Sequence, residues 1–344
     1  MLFCYFEVKI LNFIDLIYKK ERESLSKYAF LTENTKGRDF LLKSDGMRTE
    51  FQRDRDRIIH SNSFRRLSHK TQVFLDPEGD HYRTRLTHTL EVTQIARTLS
   101  RALRLNEDLT EAAALGHDLG HTPFGHAGEK VLNRLYAMGF KHNEQSLRVV
   151  EKLEKNFGGL NLTREVRNAI LCHTGSIQPQ TLEGRVIKFA DRIAYINHDI
   201  EDALRAKILT FEDLPGDLIN ILGKTGSERI NTMVNGIITE SDGKNEIQMR
   251  SDILEATDKL RDFLFKNVYD NNIAKTEEKK AEFMLEQLYE YFVRNYDLLL
   301  PEYETIVNDE GTERAVCDYI AGMTDRYSIS EYCKIFVPKT WKEE

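Results

Sequence analysis

GHDLGHTPFGHAGE, residues 116–129, decides how this chain reads. It sets His117, His121 and His126 beside Asp118 and Glu129. The adjacent His117-Asp118 pair offers an imidazole nitrogen and a carboxylate oxygen side by side, a combination suited to a divalent metal with mixed ligands. It follows an alanine-rich apolar run at residues 112–115, which predicts a buried helix. Charge at such a place is costly unless a metal or an opposite charge compensates it. Gly120, Pro123 and Gly125 then break the helix. The stretch therefore predicts a buried metal site at a helix end, with acid–base groups next to it.

Working outward, apolar residues recur at helical spacing at Leu86, Leu90, Ile95, Leu99 and Leu103, with His88 on the rim of that stripe. Asp108 and Glu111 have the spacing of a capping box and predict the start of the helix that runs to His117. His88 near the start of one helix and His117 at the end of the next would meet in an antiparallel pair. Downstream, Asp191 lies between Ile187 and Ala194 on the buried face of a long helix expected to reach about Ala206. His88, His117, Asp118 and Asp191 are thus the candidate metal ligands. Each alone has an ordinary explanation, such as a satisfied core histidine or a helix-capping aspartate; a metal explains all four. Two nitrogens and two carboxylates with open positions suit one Mn²⁺, Mg²⁺ or Fe²⁺ ion better than a closed structural zinc site.

His126 and Glu129 are three residues apart at the start of a helix expected over about 127–138, so they share a face. A carboxylate beside an imidazole makes an acid–base dyad, with a surface ion pair as the alternative. His121 and His142 are further candidates, His121 also as a structural holder of the loop. Asn143 is a candidate cap of the next helix, Thr163 opens one that ends near Gly175, and Phe157-Gly158-Gly159 is a turn. Only residues 72–75 suggest an extended piece. Pro215-Gly216 is the best break, and charged stretches beyond it, such as 277–280, read as solvated helix faces. The fold class is all-α: an N-terminal extension or helix at 1–30, a catalytic helical domain at 31–210, and a C-terminal helical region at 211–344 packed on it.

The chain has 344 residues with 49 Lys and Arg against 56 Asp and Glu, a net charge of −7. That balance supplies no global field for nucleic acid, so an anionic ligand needs a local basic cluster. Arg48, Arg53, Arg55, Arg57, Arg65, Arg66 and Lys70 form one, and Arg83 and Arg85 closely precede His88. Guanidinium groups aimed at a metal pocket match a polyphosphate; the alternative is a solvated segment neutralised by Asp54 and Asp56. Asp191, Tyr195 and Asp199 lie at i, i+4 and i+8, which places a hydroxyl and a carboxylate along the cavity where a sugar would sit; an ordinary packed tyrosine is the alternative. Cys4, Cys172, Cys317 and Cys333 are scattered without a CxxC pair, which favours a reducing, cytoplasmic setting over a disulfide framework. Glu7, Lys9 and Asp15 interrupt the apolar N-terminal run MLFCYFEVKILNFIDLIYKK, so no membrane span is expected there. It reads as an extension or a packed helix, with an interfacial or partner-docking helix as the other option.

The ordered set RDRDRIIHSNSFRRLSHKTQVF at 53–74, HYRTRLTHTLEV at 81–92, GHDLGHTPFGHAGE at 116–129, KHNEQS at 141–146, FADRIAYINHDIEDA at 189–203 and DYIAGMTDRY at 318–327 resembles the deoxyguanosinetriphosphate triphosphohydrolases of the HD-domain superfamily. The resemblance runs from about residue 25 to the end. It implies an all-α HD-domain bundle with additional C-terminal helices, and His88, His117, Asp118 and Asp191 as metal ligands. It implies His126 as the catalytic histidine, Glu129 as its acidic partner and His142 as a second active-site histidine near the phosphates. Arg85 matches an α-phosphate-contacting arginine of the related vertebrate SAM-and-HD-domain dNTPase. Gln72, Tyr195 and Asp199 match its deoxyribose-contacting positions, and Arg192 stands where a phosphate-binding lysine lies. Arg53 and His121 complete the substrate-binding candidates. The implied reaction is dNTP + H₂O → deoxynucleoside + tripolyphosphate. The implied partners are a dNTP substrate, a regulatory dNTP, weakly bound single-stranded DNA and further copies of the chain. An HD-type 5′-nucleotidase or phosphodiesterase, and a non-catalytic nucleotide sensor or single-strand-binding module, are the rival readings.

Overall fold

The structure, a computed structural model, describes residues 2–72, 82–269 and 272–339, without the side chains of residues 2–12 and 272–274. Among the described residues every regular element is helical, and the nearest thing to a strand is one isolated antiparallel bridge between Thr71 and Thr84. Of the extended piece expected at 72–75, residues 73–75 lie outside the described residues.

Helices α1 (Leu2–Ser24), α2 (Glu50–Ile59) and α3 (Asn62–Arg66) lead into the body. It comprises α4 (Arg85–Ala102), α5 (Glu107–Gly116), α6 (Gly125–Leu135), α7 (His142–Arg148), α8 (Glu154–Phe157), α9 (Arg164–Cys172) and α10 (Leu182–Arg205). The C-terminal region holds α11 (Gly216–Leu222), α12 (Gly226–Ser241), α13 (Ser251–Leu264), α14 (Asn272–Arg294), α15 (Glu304–Glu310), α16 (Thr312–Ala321) and α17 (Asp325–Phe336). No helix among the described residues is long and apolar enough to cross a membrane.

Several boundaries differ from the sequence reading, each for a local reason. The cap of α5 is Asn106, whose side chain accepts from Leu109 N at 3.2 Å, while Asp108 is taken by Gln52 at 2.8 Å. Helix α6 begins at Gly125 and ends at Leu135, earlier than expected at both ends. Asn143 lies inside α7 and donates to Leu171 O at 2.7 Å instead of capping; the cap position is Lys141. Thr163 does open α9, which stops at Cys172. The buried face of α4 is His88, Val92, Ile95, Ala96, Leu99 and Leu103, whereas Leu90 is half exposed. His88 therefore sits within the buried stripe and not on its rim.

Two apolar cores result among the described residues. The first joins α4, α5, α9 and α10 and continues into α11, α12 and α13 through Leu218, Met233, Ile237, Ile253 and Leu260. The break expected at Pro215-Gly216 starts a helix, α11, within this core. The second core joins helices from the far C-terminal part of the chain to α6. Leu285, Leu288 and Phe292 of α14 and Val316 and Ile320 of α16 pack around Phe124, Ala127, Val131 and Leu132. Helix α6 thus belongs to the second core although its sequence neighbours belong to the first. The ion pairs Lys130–Glu282 at 2.8 Å and Arg134–Glu286 at 3.0 Å line the edge of that packing.

Candidate active site

Three helices deliver the His-Asp cluster. Thr84 caps α4 with a side-chain bond from Thr87 N, so that His88 falls in the first turns. Helix α5 ends at Gly116, and His117 and Asp118 follow at once. The chain can turn there because α7 lies against it. A Cβ on Gly120 would sit 2.1 Å from Ser146 N, so only glycine allows the approach, and Gly120 N donates to Ser146 Oγ at 2.9 Å. Helix α10 brings Asp191.

These side chains converge. His88 Nε2 lies 3.2 Å from Asp191 Oδ1 and 3.8 Å from Asp118 Oδ2. His117 Nε2 lies 3.5 Å from Asp118 Oδ1 and 4.0 Å from Asp191 Oδ1. His88, His117 and Asp118 are buried, whereas the Asp191 side chain is 23 % exposed and marks the mouth. His117 Nδ1 donates to Ala114 O at 2.7 Å, which leaves Nε2 as a lone pair; that atom is buried with no hydrogen-bond partner. An orphaned nitrogen facing two carboxylates is what a divalent cation would satisfy, and the mixed N/O donor set fits one. Burial alone would raise the Asp118 carboxyl, but His117, His121 and Arg85 around it hold it well below the usual range. Asp191, likewise opposed by burial, is drawn to about 2 by the His88 hydrogen bond and charge. Both carboxylates are ready as anionic ligands.

Beside this cluster lies a second one. Glu129 accepts from His142 N at 2.9 Å and meets His142 Nδ1 at 3.0 Å, while His126 Nδ1 is 3.4 Å away. The dyad expected from spacing is therefore a trio, with Glu129 bound more tightly to His142 than to His126. Burial works against a charged His142, yet its bond to Glu129 holds it above the ordinary histidine value. Burial also opposes a charged Glu129, but His126 and His142 keep it far below the usual carboxylate range. His121 stacks on His142 with ring centres 4.1 Å apart and stands 3.6 Å from Asp118 Oδ1. Burial and the Arg85 charge keep His121 neutral, well below its ordinary value. The His126 side chain is 83 % exposed and looks outward.

Arg85 stands between the two clusters, buried, donating to Asp118 Oδ2 at 2.8 Å. The rest of the basic segment does not follow it. Arg53, expected among the phosphate-binding cations, donates to Glu50 at 2.9 Å and to Lys43 O at 3.1 Å. Arg48 and Arg55 pair with Asp56, and Arg57 donates to Leu160 O. Local carboxylates and carbonyls have claimed these arginines, which is the alternative weighed from the sequence. Gln72 borders the site, its carbonyl 3.6 Å from where a Gly125 Cβ would be and its Oε1 buried without a partner. Arg192 pairs with Asp258 of α13, and Asp199 accepts from Tyr269. Burial raises the Asp199 carboxyl to about 7, and burial with the Asp191 charge raises Tyr195 to about 12.

Two histidines escaped the sequence reading. His173, at the end of α9, puts Nε2 3.3 Å from His142 Nε2, with its ring centre 5.0 Å from that of His117. Burial and the neighbouring His117 lower it to about 4, so it stays neutral. His198 on α10 puts Nε2 3.2 Å from His88 Nδ1.

The HD domain family matches residues 85–196, the segment that carries all four candidate ligands. The phosphohydrolase-associated domain family matches residues 247–334. A deoxyguanosinetriphosphate triphosphohydrolase-like protein of Caldanaerobacter subterraneus is 58 % identical over 94 % of this chain and 96 % of its own length. The chain belongs to this family. A second relative of the same description, from Clostridium perfringens, is 53 % identical over 93 % of this chain and 96 % of its own length. Among solved structures, a phosphohydrolase from Bacteroides thetaiotaomicron shares the fold, with a TM-score of 0.53 and 18 % identity over 81 % of this chain and 67 % of that one. Membership makes the chain a phosphohydrolase of the HD class. It also gives the metal-type cluster a family setting, because HD-domain segment and donor set coincide.

Proposed function

We propose that the chain hydrolyses deoxynucleoside triphosphates, dGTP or several dNTPs, to deoxynucleoside and tripolyphosphate. Water attacks the α-phosphorus and the 5′-oxygen leaves. The observation that carries this reading is the juxtaposition of three parts. They are the His88–His117–Asp118–Asp191 donor set, the Glu129–His142–His126 trio, and the single buried guanidinium of Arg85 between them. The relatives' name, deoxyguanosinetriphosphate triphosphohydrolase-like protein, supports the substrate class.

His88, His117, Asp118 and Asp191 would hold one divalent cation, Mn²⁺, Mg²⁺ or Fe²⁺, whose chemistry when bound is polarisation of a phosphoryl oxygen. Arg85 and a protonated His142 place positive charge where charge develops on the phosphoryl group. His126, on the exposed side and oriented by Glu129, moves a proton, either from the attacking water or to the leaving oxygen. His121, neutral and stacked on His142, keeps that ring aligned and offers a nitrogen to the phosphates. Tyr195, Asp199 and Gln72 line the route a sugar would take, and the unpartnered Asp199 Oδ1 is an acceptor for a sugar hydroxyl. Arg192 reaches a phosphate only by leaving Asp258. A regulatory dNTP, weak single-stranded DNA binding, a homo-oligomer and a cytoplasmic location belong to the same proposal.

The test is product analysis with Mn²⁺ and then Mg²⁺, offering each dNTP alone and in pairs. Tripolyphosphate and deoxynucleoside from dGTP or another dNTP are expected. Orthophosphate from dGMP with no turnover of triphosphates would assign the site to a 5′-nucleotidase. Cleavage of diesters alone would make it a phosphodiesterase. Tight nucleotide or single-strand binding without turnover would leave a sensor.

A further inference from the structure

His88 is held at both ring nitrogens by one helix. Asp191 on α10 faces Nε2 at 3.2 Å, and His198, seven residues further along α10, faces Nδ1 at 3.2 Å. Seven residues is two helical turns, about 10.5 Å of rise, which lets one face of α10 reach across an imidazole. His88 and His198 are both buried. Behind them, His198 Nδ1 bonds to Glu91 Oε2, and Glu91 receives Arg83 Nε at 3.0 Å. Arg83 in turn pairs with Glu201 at 2.6 Å and Asp202 at 3.0 Å, both on α10.

The proton positions of this chain are determined from its outer end. Glu91, ionised and paired with Arg83, can only accept, so His198 Nδ1 carries hydrogen. In neutral rings His198 Nε2 is then the lone pair that accepts from His88 Nδ1–H, the arrangement that cation binding through His88 Nε2 requires. His88 Nε2 is left unprotonated and aimed at Asp191 and Asp118. His117 reaches the same tautomer through the Ala114 carbonyl. A metal-binding histidine needs such an anchor on its second nitrogen, and losing one costs about 10- to 100-fold in metal affinity.

We infer that His198 is a positioning residue which, anchored by Glu91 and Arg83, fixes the tautomer and orientation of His88 for cation binding. The inference rests on the metal-centre reading above. The experiment is titration of the metal-stripped full chain with Mn²⁺ alone, read as a dissociation constant, beside the melting temperature of the metal-free protein. His198→Ala should weaken Mn²⁺ binding about 10- to 100-fold. His198→Gln should stay within about threefold of the wild type, because its amide oxygen accepts from His88 while its NH₂ donates to Glu91. Glu91 is 40 % exposed, so Glu91→Ala should fold normally, and it should weaken binding less than His198→Ala. Wild-type affinity in both alanine variants would overturn the relay, as would equal loss in His198→Ala and His198→Gln. If wild-type protein itself binds no Mn²⁺, the metal-centre reading falls and takes the relay with it.

Discussion

The metal-binding half of the site and its proton-handling half rest on different cores. His88, His117, Asp118 and Asp191 come from α4, α5 and α10, which pack in the first core. Their positions are set by the helices matched by the HD domain. Glu129 and His126 ride on α6, whose apolar face is covered by α14 and α16 from the C-terminal region. The loop between the halves is held from the same side. Phe124 has φ 58°, in the left-handed region that costs a non-glycine residue about 1–2 kcal/mol. Its N–H donates to Asp325 Oδ1 at 2.9 Å, while Asp325 Oδ2 accepts from Thr71 N and Oγ1. Buried Lys70 ties His121 O to Ala321 O. The C-terminal helices therefore position chemistry although they supply no candidate ligand. Metal affinity and turnover should come apart when the two cores are perturbed separately.

The largest effect should come from a matched pair of variants. Asp118→Ala should lose both metal and activity, because a buried anionic ligand is removed and Arg85 is left unpaired. His126→Ala should keep its metal while turnover falls about 10²- to 10⁴-fold, the usual size of an acid–base contribution. Metal analysis beside kcat checks both, and full activity in His126→Ala would remove that residue from the mechanism.

A smaller effect tests the second core's hold on the loop. Asp325→Ala frees Phe124 N and Thr71 without touching a ligand. Turnover should fall about 10-fold or more, as for hydrogen bonds to a charged group worth about 1.5–3 kcal/mol. The Mn²⁺ dissociation constant should stay within about threefold of the wild type, on the scale where a lost anchor costs 10-fold or more. Parallel losses of metal and turnover would contradict the separation.

The last effect is on stability, not on turnover, and belongs to the first core. Asp199 has a folded-state pKa of about 7, raised mainly by burial, against about 4 in the unfolded chain. The unfolded state gives up this proton first. The contribution of Asp199 to stability is therefore complete below about pH 4 and is lost as pH rises through about 7. Asp199→Asn should match the wild type more closely at pH 4 than at pH 8, where the variant should be the more stable. Denaturant unfolding across that range measures it, and an unchanged pH slope would contradict the assignment.

Much of this was legible in the sequence because it depends on local spacing. Residues 116–129 announce a helix end with charge, and Asp191 falls on a buried helix face by counting from Ile187 and Ala194. The all-α class follows from the same periodicity. What escaped depends on long-range packing. His198 lies at i+7 from Asp191, so the count that linked Asp191, Tyr195 and Asp199 reaches it as well; only the approach of α4 shows what it faces. His173 completes the buried series Val166, Ala169, Ile170 on α9, a signal present in the sequence but without a partner until α7 docks. The basic segment misled for the opposite reason. Its arginines cluster in sequence, yet Glu50, Asp56 and backbone carbonyls satisfy them before they reach the site. Asp325 stands in the 318–327 stretch and Lys70 in the basic segment, but their structural roles were not legible, because Asp325 reaches Phe124 N and Thr71 and Lys70 joins His121 O to Ala321 O across long stretches of chain.

The position of the bound cation decides the chemistry of the site. Crystals soaked in Mn²⁺ and measured for anomalous scattering should show one strong peak per chain, within bonding distance of His88 Nε2, His117 Nε2, Asp118 and Asp191. No peak at that position in fully soaked crystals, or a peak held by other residues, would contradict it.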